Sequence, residues 1–189
     1  MIIISLGGLV SLADAAEWKI DKSHSSVNFE VRHLVITKTH GNFTEFDGTL
    51  NFDESSFEES AVTFSVKTAS VNTDDEARDE HLRSADFLDA EKYPDMTFKS
   101  VNVTRGEGAE FKLVGDLTIR GVTKSVTFEC EYFGTVKDPW GNSKSGFTAK
   151  TRINRHDFGV SWSKTLDSGG LVVGDEVTII LDLEFGPAG

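Results

Sequence analysis

Five histidines, at positions 24, 33, 40, 81 and 156, are the side chains best suited to metal ligation or proton transfer near neutral pH. No two of them stand at i,i+4 or as His-x-His, the spacings that bring two imidazoles to one ion from a single element. The run Asp79-Glu80-His81 offers ligand atoms in a row, but consecutive residues of a helix point in different directions. No metal site is expected. Nucleophilic catalysis has as little support, because there is no Gly-x-Ser-x-Gly turn and Cys130 has no activating base near it in sequence. Gly106-x-Gly108 lacks the third glycine and the strand-to-helix setting of a nucleotide loop. These residues point away from an enzyme and from a cofactor, and leave binding as the activity to explain.

The elements around them are strands. Val27, Phe29 and Val31 alternate with polar residues, as do Phe111, Leu113, Leu117 and Ile119, then Val126, Phe128 and Cys130. Val177, Ile179, Leu181, Leu183 and Phe185 close the series. Period-two patterning gives each strand one buried and one wet face. Cys130 lies on a buried face and reads as a small hydrophobe, not a reactive thiol. About eight such strands with almost no helix predict an all-β fold, an antiparallel barrel or sandwich. The alternation slips at three places: between Phe43 and Phe46, between Val66 and Ala69, and between Phe98 and the pair Val101 and Val103. Such slips suggest β-bulges, and bent, twisted strands favour a closed barrel. Turns are expected at Asp47-Gly48, Gly106-Glu107-Gly108, Arg120-Gly121, Pro139-Trp140-Gly141-Asn142, Ser168-Gly169-Gly170 and Gly174-Asp175.

One segment departs from the pattern. Thr73-Asp74-Asp75-Glu76 reads as a capping box with Thr73 at the N-cap, opening a short helix that puts Arg78, His81 and Leu82 on one face. It should stop by Tyr93-Pro94 and cap an open barrel end. His33 extends the face of Val27, Phe29 and Val31, so it is expected to point inward, either as a core histidine satisfied by its neighbours or as a hydrogen-bond donor to a ligand head.

Composition narrows the partners. Nineteen basic residues against 31 acidic ones give a formal charge of −12, which disfavours nucleic acid and anionic membrane surfaces. Fourteen Phe against two Tyr and three Trp suit a hydrocarbon lining better than a sugar platform. Residues 1–16 run from an apolar stretch into Ala13-Asp14-Ala15 and read as a secretory signal, although no Lys or Arg precedes the stretch. The folded domain is expected over 17–189, in the periplasm or outside the cell.

Several longer motifs then carry a resemblance. They are Asp21-Lys22-Ser23-His24-Ser25, with Phe29 and His33, then Gly41-Asn42-Phe43. The strongest is Arg78-Asp79-Glu80-His81-Leu82-Arg83-Ser84-Ala85-Asp86-Phe87-Leu88, running on to Tyr93-Pro94, Phe98 and Ser100. Gly115-Asp116-Leu117-Thr118-Ile119-Arg120-Gly121-Val122-Thr123-Lys124 and Arg155-His156-Asp157-Phe158-Gly159 complete the order. The chain after Glu17 resembles the YceI-like family of lipid- and polyisoprenoid-binding proteins. That resemblance implies an eight-stranded antiparallel lipocalin-like barrel with a short helical cap, and an apolar channel for a long-chain isoprenoid or fatty lipid. It implies Phe29, Phe43, Phe64, Phe98 and Phe128 on the inward faces, and Arg78, His81 and Leu82 beside the ligand. His33, Phe87, Phe158 and Trp162 complete the expected ligand-binding set. The expected role is sequestering or transporting the lipid. The alternatives are an enzyme using His33 or His81 as acid/base on such a lipid, and a stress-response protein whose cavity is incidental. A homodimer is left open.

Overall fold

The alternating runs become eleven strands in the computed structural model, which describes residues 16–165 and 171–188. They are β1 (Ala16–Ile20), β2 (Ser26–His33), β3 (Thr37–Phe43), β4 (Phe46–Phe52), β5 (Ala61–Lys67) and β6 (Val71–Asn72). After the helix α1 (Glu76–Arg83) come β7 (Asp95–Arg105), β8 (Glu110–Ile119), β9 (Val122–Lys137), β10 (Ser143–Asn154) and β11 (Val173–Pro187). Every pairing is antiparallel, and β1-β4-β5-β7-β8-β9-β10-β11 closes on itself through β1 and β11. The remaining three strands continue members of that ring. β1 and β2 lie end to end along β11, at positions 185–187 and 173–182. β3 continues β4, and β6 continues β5, each beside the corresponding neighbour. The result is an eight-stranded antiparallel barrel in which three of the strands are broken.

Two of the three breaks fall where the alternation slips. Residues 44–45 separate β3 from β4, and a 3-10 turn over Thr68–Ser70 separates β5 from β6. Ser70 repairs the ladder there: its hydroxyl accepts from the Glu45 N–H at 3.1 Å and donates to the Lys67 carbonyl at 2.7 Å. In β7 the register shifts between Ser100 and Asn102, leaving Val101 as the extra residue. Val101 therefore turns outward, 68% exposed, and does not share the inner face with Val103 as strict alternation predicts.

At the β1–β2 break the Ser25 hydroxyl accepts from the Glu184 N–H at 2.9 Å. Beside it the Lys144 ammonium bonds to Asp21 Oδ2 and lies 3.0 Å from Glu184 Oε1, tying the break to β10 and β11. The Lys144 ammonium and the Ser23 hydroxyl hold the Asp21 carboxyl well below the usual carboxylate range.

Two of the expected turns are strand. Asp47-Gly48 lies within β4 and Gly174-Asp175 within β11, where the ladder to β2 is irregular between Val173 and Val177. Gly48 is needed for space, not for a turn. It sits opposite Phe64 on β5, and a Cβ there would stand 2.6 Å from the ring. Gly41 faces Phe29 in the same way, and Gly115 lies under Phe98. In each case an inward ring lies against a backbone that has no side chain, a cross-strand pairing that holds the ring close to the wall. The Arg120-Gly121 turn and the tips at residues 106–109 and 138–142 are as expected, while Ser168-Gly169-Gly170 and residues 1–15 of the signal-like segment lie outside the described residues.

The helix starts two residues later than the capping box suggests. Asp75 is the N-cap, its carboxylate accepting from the Arg78 N–H at 3.0 Å. Thr73 is used otherwise: its N–H and hydroxyl both donate to the buried Asp79 carboxylate. α1 ends at Arg83, and turns carry the chain on to Tyr93-Pro94.

Replacing Gly115 with Ala should cost about 1–3 kcal/mol in urea denaturation, because the methyl overlaps the Phe98 ring and stands 2.5 Å from the Lys99 carbonyl oxygen. Gly146→Ala, whose nearest neighbour is Phe133 at 3.7 Å, should change stability by no more than about 1 kcal/mol. Asp21→Asn should cost about 1–2 kcal/mol at neutral pH. Since the folded carboxyl titrates below the unfolded one, that difference should be complete above about pH 4 and shrink as the solution is acidified further. A difference that persists undiminished to about pH 2 would show that the carboxylate charge is irrelevant.

Candidate functional site

Along β11 the inward residues Val177, Ile179, Leu181 and Leu183 are only half-buried, whereas Phe185 is 2% exposed. The change marks where a hollow meets packed core. The hollow is a cavity of about 220 Å³ under the end of the barrel that carries α1. Phe29, Phe64, Phe98 and Phe128 line its barrel wall, Leu82, Phe87 and Leu88 face it from the α1 segment, and Phe158 and Val160 from the β10–β11 connection. Among the described residues only three polar ones, Asn28, Thr97 and Arg155, border it, and the surface it presents is hydrocarbon almost throughout. A benzene-sized ligand is held by an apolar cavity of about 150 Å³, so this one takes about two isoprene units without rearrangement.

The opposite end is filled. Phe57, on a 3-10 turn over Glu54–Glu59, packs against Phe52, Phe111 and Tyr132 at ring distances of 5.6, 5.1 and 5.6 Å. Phe147 joins Phe52, Tyr132 and Phe185, and the Arg105 guanidinium lies 4.3 Å above the Phe57 ring. A chain that enters the hollow from the α1 end must point its far end at this plug.

Three arginines hold the α1 end together, and each donates to backbone carbonyls. Arg120 donates to the carbonyls of Ala85, Phe87 and Gly159 at 2.8, 2.8 and 3.1 Å, joining the α1 segment to the β10–β11 connection. Arg78 binds the Thr73 hydroxyl and carbonyl, both at 2.7 Å. Arg155, 4% exposed, donates to the carbonyls of Gly174, Val160 and Trp162. Its Nη2 makes no hydrogen bond among the described residues and rests 3.5 Å from Asp175 Oδ1. Burial pushes this guanidinium below its ordinary range, and the Asp175 carboxylate pulls the other way.

Of the residues singled out from sequence, Phe29, Phe43, Phe64, Leu82, Phe87, Phe98, Phe128 and Phe158 line the cavity. Four do not. His33 ends β2 opposite Val173, and the chain turns away through Leu34 and Val35 at φ 53° and 67°, so the inward position it continues falls at the rim. Arg78 is consumed by Thr73. His81 and Trp162 stand behind Phe87, at ring distances of 4.9 and 5.1 Å, with His81 bonded to Asp86 at 3.0 Å. They position the cavity wall without touching the cavity. Sequence reasoning passed over the aliphatic half of the wall, Val27, Leu117, Ile119 and Ile153 among it, although the same alternation that marked the phenylalanines marks these.

Among the described residues one trio of potential metal ligands converges, Asp21, His24 and Glu184. The Lys144 ammonium already lies against both carboxylates, so the negative charge there has its cation. Cys130 is buried, its thiol pushed up to about 12 by burial, and is chemically quiet.

The model of the YceI-like domain matches residues 18–185. Protein YceI of Escherichia coli O157:H7 is 44% identical over 150 residues, covering 78% of each chain. Among solved structures, Burkholderia cenocepacia BcnA superposes with a TM-score of 0.77 at 24% identity, over 87% of this chain and 98% of that one. A polyisoprenoid binding domain from Saccharophagus degradans, implicated in plant cell wall breakdown, gives 0.65 at 13% identity, over 93% and 99%. With the same barrel, and with a match that runs from β1 to near the end of β11, the chain belongs to the YceI-like family.

Proposed function

We propose that the protein binds a long-chain isoprenoid, or a related amphiphilic lipid, by its tail, and sequesters or transports it in the periplasm or outside the cell. The observation that carries this reading is the cavity itself, about 220 Å³ with a wall of hydrocarbon. A polar ligand would forfeit its hydrogen bonds to water there, whereas a hydrocarbon chain forfeits nothing. The polyisoprenoid binding domain that shares the fold supports the same cargo. The export signal read in residues 1–16 supports the address.

The size of the hollow bears on affinity. Each methylene moved from water into such a wall contributes about 0.8 kcal/mol. Ten carbons therefore give roughly 8 kcal/mol gross, against an association cost of about 4–15 kcal/mol. A short tail binds weakly, and affinity comes from length. The polar head stays at the α1 end, where Arg78, Arg120 and Arg155 are already committed to carbonyls. An isoprenoid-modifying enzyme is the weaker reading, since neither His33 nor His81 borders the cavity.

Organic extraction of the purified protein followed by mass spectrometry should release a polyprenyl or acyl lipid. Phe29→Asp and Phe64→Asp each place a carboxylate in the wall and should lower the retained lipid by roughly tenfold or more, with the β-sheet circular dichroism unchanged. Retention equal to wild type in both folded variants would rule the cavity out as the binding site.

A further inference from the structure

A second, smaller hollow of about 60 Å³ lies beyond the first, against the aromatic plug. Phe52, Phe57, Phe111, Cys130 and Phe147 border it and do not border the larger one. Val62, Leu113, Ala149 and Leu183 border both. These four come from β5, β8, β10 and β11, which are distributed around the ring, so they encircle the axis as a neck between the two chambers. Three are branched aliphatics that change rotamer without moving backbone, and the fourth is a single methyl, so the neck is least obstructed at β10.

A tail that comes in from the α1 end meets this neck because the other end is sealed by Phe57 and Arg105. The larger chamber is full after about two isoprene units, and the next unit must pass the neck or stay outside. The geometry points to a built-in gauge of tail length: Val62, Leu113, Ala149 and Leu183 form a neck that admits the branched end of a tail of three or more isoprene units into the distal chamber, where the aromatic plug stops it. This inference rests on the reading of the cavity as a lipid-tail site, and deepens it by naming what selects the tail. Affinity should rise steeply up to the length that seats the terminus and level off beyond it, since each newly buried methylene is worth about fourfold and an unburied one nothing.

The test uses geraniol, farnesol and geranylgeraniol, of two, three and four isoprene units, titrated into delipidated full-length protein. Wild type should bind farnesol at least about tenfold more tightly than geraniol, with a smaller gain from farnesol to geranylgeraniol. Val103→Leu, which narrows the distal chamber at a residue that does not border the larger one, should leave geraniol binding within about twofold and remove the gain on farnesol. Cys130 supplies a second readout that needs no substitution in the neck, because it is the single thiol of the chain and borders the distal chamber alone. Its 13Cβ NMR resonance, read from protein labelled with 13C-cysteine, should shift when the protein is saturated with farnesol and stay unchanged with geraniol. Equal shifts with the two alcohols, or a Val103→Leu variant that weakens both alike or neither, would overturn the neck while leaving the lipid-tail site standing. Wild type that binds none of the three alcohols would overturn both.

Discussion

Fourteen phenylalanines in a small barrel would ordinarily fill its interior, and the hollow exists because of how their rings are disposed. One group stacks edge to face at a single end, Phe52, Phe57, Phe111 and Phe147 among them, and closes it. Another group lies close against the wall over glycines on the neighbouring strand, Phe29 over Gly41, Phe64 over Gly48 and Phe98 over Gly115. A side chain at any of those three glycines would push a ring off the wall and into the space a ligand needs. The cavity is thus a consequence of where the backbone is bare as much as of where the rings are.

Polar groups are kept out of that space by being satisfied elsewhere. The α1 end contains carbonyls at Ala85, Phe87, Gly159, Val160, Trp162 and Gly174 that no ladder reaches, and Arg120 and Arg155 take all of them. Arginine suits this task because its planar fork of donors spans several acceptors and its aliphatic stem lies along apolar surface. The family motifs around Arg78-Asp79 and Arg155-His156-Asp157-Phe158 are, on this geometry, motifs of architecture that brace a cap over the cavity. Leu82, Phe87 and Phe158 are the members that face the contents.

The breaks in three of the eight strands serve the same end. An unbroken strand keeps one pitch along its length, whereas a break lets the two parts take different tilts. Ser25, Ser70 and the Lys144 ion pair restore bonding lost at those places and hold the bends, while the buried Thr68 hydroxyl beside Ser70 has no partner among the described residues.

Much of this was legible in the chain. Alternation placed Phe29 and Phe128 on inward faces because a strand's side-chain period is fixed by the backbone itself, the family resemblance added Phe43, Phe64 and Phe98, and each slip in phase between Phe43 and Phe46, Val66 and Ala69, and Phe98 and Val103 marked a real bend or bulge. The barrel and its apolar interior followed. Proximity across strands was not legible. Gly48 looks like a turn residue until Phe64 is seen lying over it, His33 looks inward until β2 is seen to end at the rim, and Arg78 looks like a ligand anchor until Thr73 is found in its grip. Local sequence determines which face of a strand a residue occupies. Whether that face is filled, hollow or spent on a neighbour depends on register and on partners many tens of residues away, and only the closed barrel brings those together.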